Sequence, residues 1–387
     1  MPNTNSQTVL QMQGIVNKLV QQATGRESVG NIDMDFVTVA QDQRTISKTV
    51  DYDDVIDFTN NSQIPLKIDA EMTYTQSGSG DPAVDNVRPI TGWTGCKVWR
   101  TGKNIIPNVS KKISSSVIML GQETVYSSAQ DIFLPAGKYT ISADLEHDYS
   151  IYYSNTDESV SGHSTEAKKP KATFTVTDPG YFAFWLVDGD SAATLDDINS
   201  FQLEQGEEVT AYEEYKGNDY AFEFPETAGT VYGGVLHVDT GKLAVNRVGI
   251  VLDSTVTFYA SGAYPGSFYK NRNAFTPAVP APATVEIICS HAKRVSALTS
   301  YDISCMYIDG SVNLRLLDTD ATTVDAWNTY VDAQKTNGTP VTLVYTIDTP
   351  IIYNLTPTEV KSLIGYNTVF ADCGEVSVTY TSLVPVP

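Results

Sequence analysis

Short runs in which hydrophobic and polar residues alternate recur along most of this chain, and a period of two is the signature of half-buried strands. LKIDAEMTYT (66–75), KYTISADL (138–145), KATFTV (171–176), VTLVYTI (341–347) and EVSVTY (375–380) all follow it. In the last of these Val376, Val378 and Tyr380 share one face, and Glu375, Ser377 and Thr379 the other. YFAFWLV (181–187) is apolar on both faces, which predicts a central strand and places Trp185 in a core. Turn signals separate the runs: Pro135-Ala136-Gly137, Asp178-Pro179-Gly180 and Asp239-Thr240-Gly241. The Gly-, Ser- and Asp-rich stretch 76–88 reads as a surface loop, as does Phe268–Pro282, which ends in closely spaced prolines.

Helical spacing is confined to three stretches. Residues 6–24 carry Val9, Met12, Val16 and Leu19 at steps of three and four, an a/d stripe of about two heptads. A helix this short needs a partner, so the stripe either packs on the protein's own body or serves as an oligomerisation and docking surface. Residues 323–334 place Val324, Trp327 and Val331 on one face. The third is LTPTEVKSLIG (355–365), where Thr356 is a cap, Pro357 the first helical residue, Glu359 the closing member of a capping box and Gly365 a left-handed stop. The pattern thus predicts a mainly β protein: an N-terminal helical segment (1–32), a β region (33–106), a jelly-roll-like sandwich (107–216) and a C-terminal β-rich module with two short helices (217–387).

Five phrases, in order, resemble phage and prophage virion proteins of Gram-positive bacteria. They are SGSGDPAVDNVRPITGW (77–93), KNIIP (103–107), FQLEQGEEVTAYEEY (201–215), GTVYGGVLHVDTGKLAV (229–245) and LVYTIDTPIIYNLTPTEV (343–360). The resemblance, with the closing unit at 355–380, implies a tail, baseplate, fibre or head-fibre subunit. It further implies that the 107–216 module is similar to the non-catalytic carbohydrate-binding sandwiches appended to glycosidases. The expected partners are other virion proteins, further copies of the chain (a trimer suits the short apolar seam) and a host cell-surface glycan. The expected location is the virion. A decoration or assembly protein without a receptor, and a polysaccharide depolymerase, are the two other classes considered.

Charge narrows the field. Among 387 residues, 46 acids against 25 bases give a net charge of −21. Such a chain repels a phosphate backbone, so nucleic acid is not an expected partner; the acid surplus favours solubility. No run of about 18 apolar residues predicts membrane insertion. The cysteines Cys96, Cys289, Cys305 and Cys373 have no metal-binding spacing; Cys289 and Cys305 could meet across strands, but free buried thiols are the expectation.

The search for reaction chemistry yields no expected enzyme, metal or cofactor. His147, His163, His237 and His291 are dispersed and read as exposed or pocket-edge residues. The acids Asp188, Asp190, Asp196 and Asp197, and Glu207, Glu208, Glu213 and Glu214, sit in polar loop contexts with ordinary solvation rather than as a hydrolase pair. Sugar binding needs aromatic faces beside planar polar groups. HDYSIYYSN (147–155) has that content, and Tyr149, Tyr152 and Tyr153 with Asp148 and Asn155 form the candidate platform. The competing reading turns Tyr149 and Ile151 inward and leaves Tyr153 covering an edge.

Overall fold

The computed structural model describes residues 44–50, 56–57, 64–106, 110–114, 117–120, 132–143, 149–155, 158–164, 171–188, 201–262, 266–296, 304–316 and 322–382. The expected N-terminal helix, with Val9, Met12, Val16 and Leu19, lies outside them. The described residues are mainly β, with one α-helix, Val324–Thr336. They fall into two compact units drawn from separate stretches of chain. One takes the described parts of Met1–Ile68, Val98–Tyr220 and Thr358–Pro387; the other takes Asp69–Lys97 and Ala221–Pro357.

In the first unit two antiparallel sheets share one core. The smaller has Gly137–Ala143 between Lys171–Val176 and Phe201–Gln205. In the larger, Gly180–Asp188 is central as its two apolar faces predict, pairing with Tyr149–Asn155, Val117–Leu120 and Ile132–Leu134. Alternation sends Tyr139 and Ile141 from one sheet, and Ile151, Phe182 and Phe184 from the other, into a single buried cluster. Phe174 is at its centre, its ring 4.3 Å from that of Tyr153 and 5.8 Å from that of Phe182. Each such ring removed from water stabilises the fold by roughly 2–3 kcal/mol.

Side chains from two of the recurring phrases lock this core. Asn104 is fully buried; its Nδ2 donates to the carbonyls of Phe201 and Glu213, and its Oδ1 accepts from the amides of Ile106 and Leu203. Gln202 accepts from the Glu213 amide and donates to Glu204, whose buried carboxylate also takes the amide and hydroxyl of Thr210. A buried carboxylate is tolerated because these donors replace its water.

The end of the chain departs from its local signals. Thr356–Glu359 is not helical, and Val360–Lys361 is a short strand opposite Leu66 and Pro65. Pairing buries Val360, and the amide and hydroxyl of Ser362 exchange hydrogen bonds with Ile64. Gly365 is left-handed (φ 89°) as expected, but in a turn held by the Asn367 side chain. The strand Gly374–Ser382 buries Val376, Val378 and Tyr380 as the alternation requires.

The second unit contains an antiparallel sheet in which Gly233–His237, Lys242–Val251, Thr342–Asn354 and Ile287–Cys289 are successive neighbours. The hairpin turn at Asp239–Gly241 is where the sequence puts it. A second sheet orders Tyr259–Ala260, Phe268–Asn271, Ser311–Arg315, Cys305–Ile308 and Lys293–Val295. Phe268–Asn271 was expected to be loop; its four residues are recruited by the Ser311–Arg315 strand. The helix starts where Thr323 Oγ1 accepts the Ala326 amide and buries Trp327 and Val331. Trp327 stacks on Phe268 at 4.7 Å, joining helix and sheet through one aromatic core. In the 76–88 loop, Arg88 donates to the carbonyls of Gln76, Ser77, Gly78 and Gly80, folding the loop around one guanidinium.

Candidate functional site

The larger sheet of the first unit sets Tyr152 directly opposite Trp185 on one neighbouring strand and directly opposite His163 on the other. Because side chains alternate, Ile151, Tyr153 and Phe184 enter the core while His163, Tyr152 and Trp185 form a row on the other face. His163 is exposed; Tyr152 and Trp185 are half-buried. The ring centroids lie 5.0 Å apart for Tyr152 and His163 and 5.7 Å for Tyr152 and Trp185, with planes inclined by 32° and 19°. Near-parallel rings at these separations are offset, so they overlap only in part and leave aromatic surface uncovered. His163 Nδ1 is 3.0 Å from the Ser164 carbonyl, which needs the proton on Nδ1 and leaves Nε2 to accept in the neutral ring.

Of the platform expected from sequence, Tyr152 alone is placed in this row. Tyr153 points the opposite way, stacks on Phe174, and has its phenol pKa raised by burial. Its hydroxyl occupies the space beside Gly162, where an added Cβ would come within 2.5 Å. Asn155 is spent on a turn: Nδ2 donates to Ser159 and Oδ1 accepts from the Val160 amide. Tyr149 begins its strand, while its side chain and all of Asp148 lie outside the described residues. Trp185, expected in the core, is on the row instead. Its strand does have two apolar sides, but the side bearing Trp185 is not the one packed into the shared core. No local signal in the sequence marks His163 as the third member, because the pairing of Ser161–His163 with Tyr149–Asn155 is a matter of register.

Other chemistry-bearing groups are engaged in structure. Ser290 Oγ lies 2.8 Å from His291 Nδ1, but it accepts the Thr342 amide and reaches the Pro340 carbonyl, and both residues are buried. The expectation of an exposed or pocket-edge His291 is therefore corrected. Burial lowers its pKa to about 4, against a weaker opposing influence of Gln334; no group meets Nε2 with hydrogen-bond geometry among the described residues. Glu207 is exposed and paired with Lys138, and Glu208 and Glu214 are exposed. The side chains of Asp188, Asp190, Asp196 and Asp197 are outside the described residues. Cys289 and Cys305 are free and buried as expected, the Cys289 thiol being pushed up to about 11 by burial. Cys96 and Cys373, by contrast, are disulfide-bonded, which sequence spacing does not reveal. No helix of the described residues is long and apolar enough to cross a membrane. Compared with protein-family models, curated proteins and solved structures, the chain matches none.

Proposed function

We propose that this chain is a structural subunit of a phage particle, a fibre, baseplate or head-fibre component, that holds a host-surface glycan weakly and in many copies. The observation that carries the binding role is the row His163–Tyr152–Trp185 on the face turned away from the core. Three rings in one cross-strand line, none fully buried, forgo part of the stabilisation that a core position would give them. Aromatic surface of this kind suits the C–H face of a pyranose, and the free imidazole nitrogen suits a hydroxyl. The two-sheet core beneath supports a jelly-roll-type, carbohydrate-binding reading of the module. The virion reading is supported by the five ordered phrases. Low affinity per site is sufficient in that setting, because many copies on one particle convert it into avidity.

The test is binding of the assembled chain to a glycan array, with Tyr152→Ala/Trp185→Ala as the comparison, alongside mass spectrometry of purified particles from a strain encoding the chain. Binding that disappears in the double variant, from a protein present in particles, is the expected result. An assembled protein that binds no glycan is a decoration protein instead, and a chain missing from particles sinks the virion reading.

A further inference from the structure

Asparagine followed by glycine is the pair in which a backbone amide most readily attacks the preceding side chain, because no Cβ shields the glycine nitrogen. Asn337-Gly338 is the one such pair among the 387 residues. The fold sets it at the exposed end of the Val324–Thr336 helix, where Asn337 keeps a helical backbone (φ −78°, ψ 0°) and Gly338 is left-handed (φ 80°). The Gly338 amide donates to the Lys335 carbonyl at 3.3 Å and the Thr339 amide to the Gln334 carbonyl at 3.0 Å, the paired bonds of a Schellman end. Thr339 Oγ1 donates to Gln334 Oε1 at 2.8 Å and tightens it. The side chains of Asn86, Asn155 and Asn367 are tied by hydrogen bonds, whereas that of Asn337 makes none among the described residues. We infer that Asn337 is a self-modification site, converting to aspartate and isoaspartate at a rate set by opening of this helix end. The inference rests on neither the glycan nor the virion reading.

The step needs only water and hydroxide. Hydroxide takes the Gly338 amide proton, the nitrogen bonds to Asn337 Cγ, and the Cγ–Nδ2 bond breaks, so that ammonia leaves and a cyclic imide remains. Water then opens the ring. Cleavage between nitrogen and Cγ gives aspartate; cleavage at the main-chain carbonyl gives isoaspartate, whose backbone runs through Cβ. Nothing is oxidised or reduced. Ring closure requires the Gly338 nitrogen to come into line with the Asn337 side chain. The Cα–C bond of Asn337 must therefore turn out of its helical setting, and the Gly338 and Thr339 amide bonds open. Lys335, Thr336, Asn337 and Gly338 are all exposed, so this last turn frays without uncovering Trp327 or Val331. Either product places a carboxylate where the helix already ends in unpaired carbonyls, against the macrodipole. Isoaspartate also lengthens the link to Pro340 and Thr342, whose carbonyl and amide are held by the Ser290 hydroxyl.

The experiment is timed incubation of the full chain in mildly alkaline buffer, with and without urea, followed by tryptic peptide mass spectrometry. The peptide between Lys335 and Lys361 also contains Asn354, followed by Leu355, as an internal comparison. In the folded chain Asn337 is expected to convert, splitting the peptide into two heavier forms, while Asn354 does not. Conversion in urea should be faster by about five- to tenfold, the closed-to-open ratio of one helix cap. Thr339→Ala, which removes the bond to Gln334, should accelerate conversion about threefold in the folded chain and leave the rate in urea unchanged. Asn337→Gln should abolish it. Converted protein, separated by anion exchange, should show a folded-to-unfolded ratio lower by about threefold. A folded chain in which Asn337 converts no faster than Asn354 overturns the modification site. Equal rates with and without urea, or equal acceleration by Thr339→Ala in both, overturns the gate.

Discussion

His291 should make the second unit acid-labile in a window where carboxylates are still ionised. The side chain is fully buried between Ser290 and neighbouring groups, and burial holds its pKa near 4 against an unfolded value of about 6.5. For a base with a depressed folded pKa, the unfolded state binds the proton first. The contribution of the neutral ring is therefore complete above pH 6.5 and is lost as pH falls toward 4. Between pH 7.5 and pH 5 the linkage integral is about 1.5 decades, or about 2 kcal/mol, a roughly thirtyfold loss in the folded-to-unfolded ratio. With a urea slope of about 2 kcal/mol per molar, the unfolding midpoint should fall by about 1 M over that interval.

The perturbation is His291→Gln, which keeps a polar group beside Ser290 and carries no charge at either pH. Urea titrations followed by tryptophan fluorescence, for both proteins at pH 7.5 and pH 5, give the difference of differences. Every other group is common to both proteins and cancels in that difference. Asp253 does not intrude, because its depressed pKa acts only below the ordinary carboxylate range. The variant is expected to lose less stability on acidification than the wild type, by about the amount calculated here. The same acid sensitivity in both proteins would refute the assignment of the effect to His291, whatever the absolute stability of the variant.

Three further expectations concern single features. Gly241 is left-handed (φ 63°), and a Cβ there would meet the Leu355 carbonyl at 2.6 Å, so Gly241→Ala should cost about 2 kcal/mol or more in denaturant unfolding. Without reductant, denatured protein should take up alkylating reagent at Cys289 and Cys305 only. Added reductant should then open Cys96 and Cys373 to the same reagent. Asp253, held by Lys335 and Thr255, should titrate by NMR near pH 2, and Lys335→Met should raise that midpoint toward the usual carboxylate value.

Local signals succeeded where local and tertiary demands agree. The Val324–Thr336 helix was legible because the residue that caps it, Thr323, directly precedes a stripe, Val324, Trp327 and Val331, that the core also requires. The 355–365 stretch carries equally good helical signals, yet each cap is worth only about 1 kcal/mol and so short a helix barely pays for its nucleation. Strand pairing that buries Val360 and satisfies Ile64 and Ser362 outweighs them. Trp185 was misjudged for a related reason: apolar character on both sides of a strand does not say which side a second layer covers. His163 could not have been found, since it owes its place to a strand register that no local signal reports. The same is true of the two discontinuous units, which only long-range pairing defines.

The phrases that carry the resemblance and the row His163–Tyr152–Trp185 occupy different parts of the chain. Asn104, Gln202 and Glu204 stitch together segments about a hundred residues apart, and Arg88 gathers four carbonyls of its own loop. These are scaffold tasks that tolerate little change, because each removes donors or acceptors from buried or turn backbone. Tyr152, His163 and Trp185 lie outside every phrase. Substitution on that row leaves the buried networks intact, so its residues can change while the fold stays. A likeness carried by the phrases therefore bears on how such a chain is built, and the proposed glycan contact is to be tested on the row that the phrases leave free.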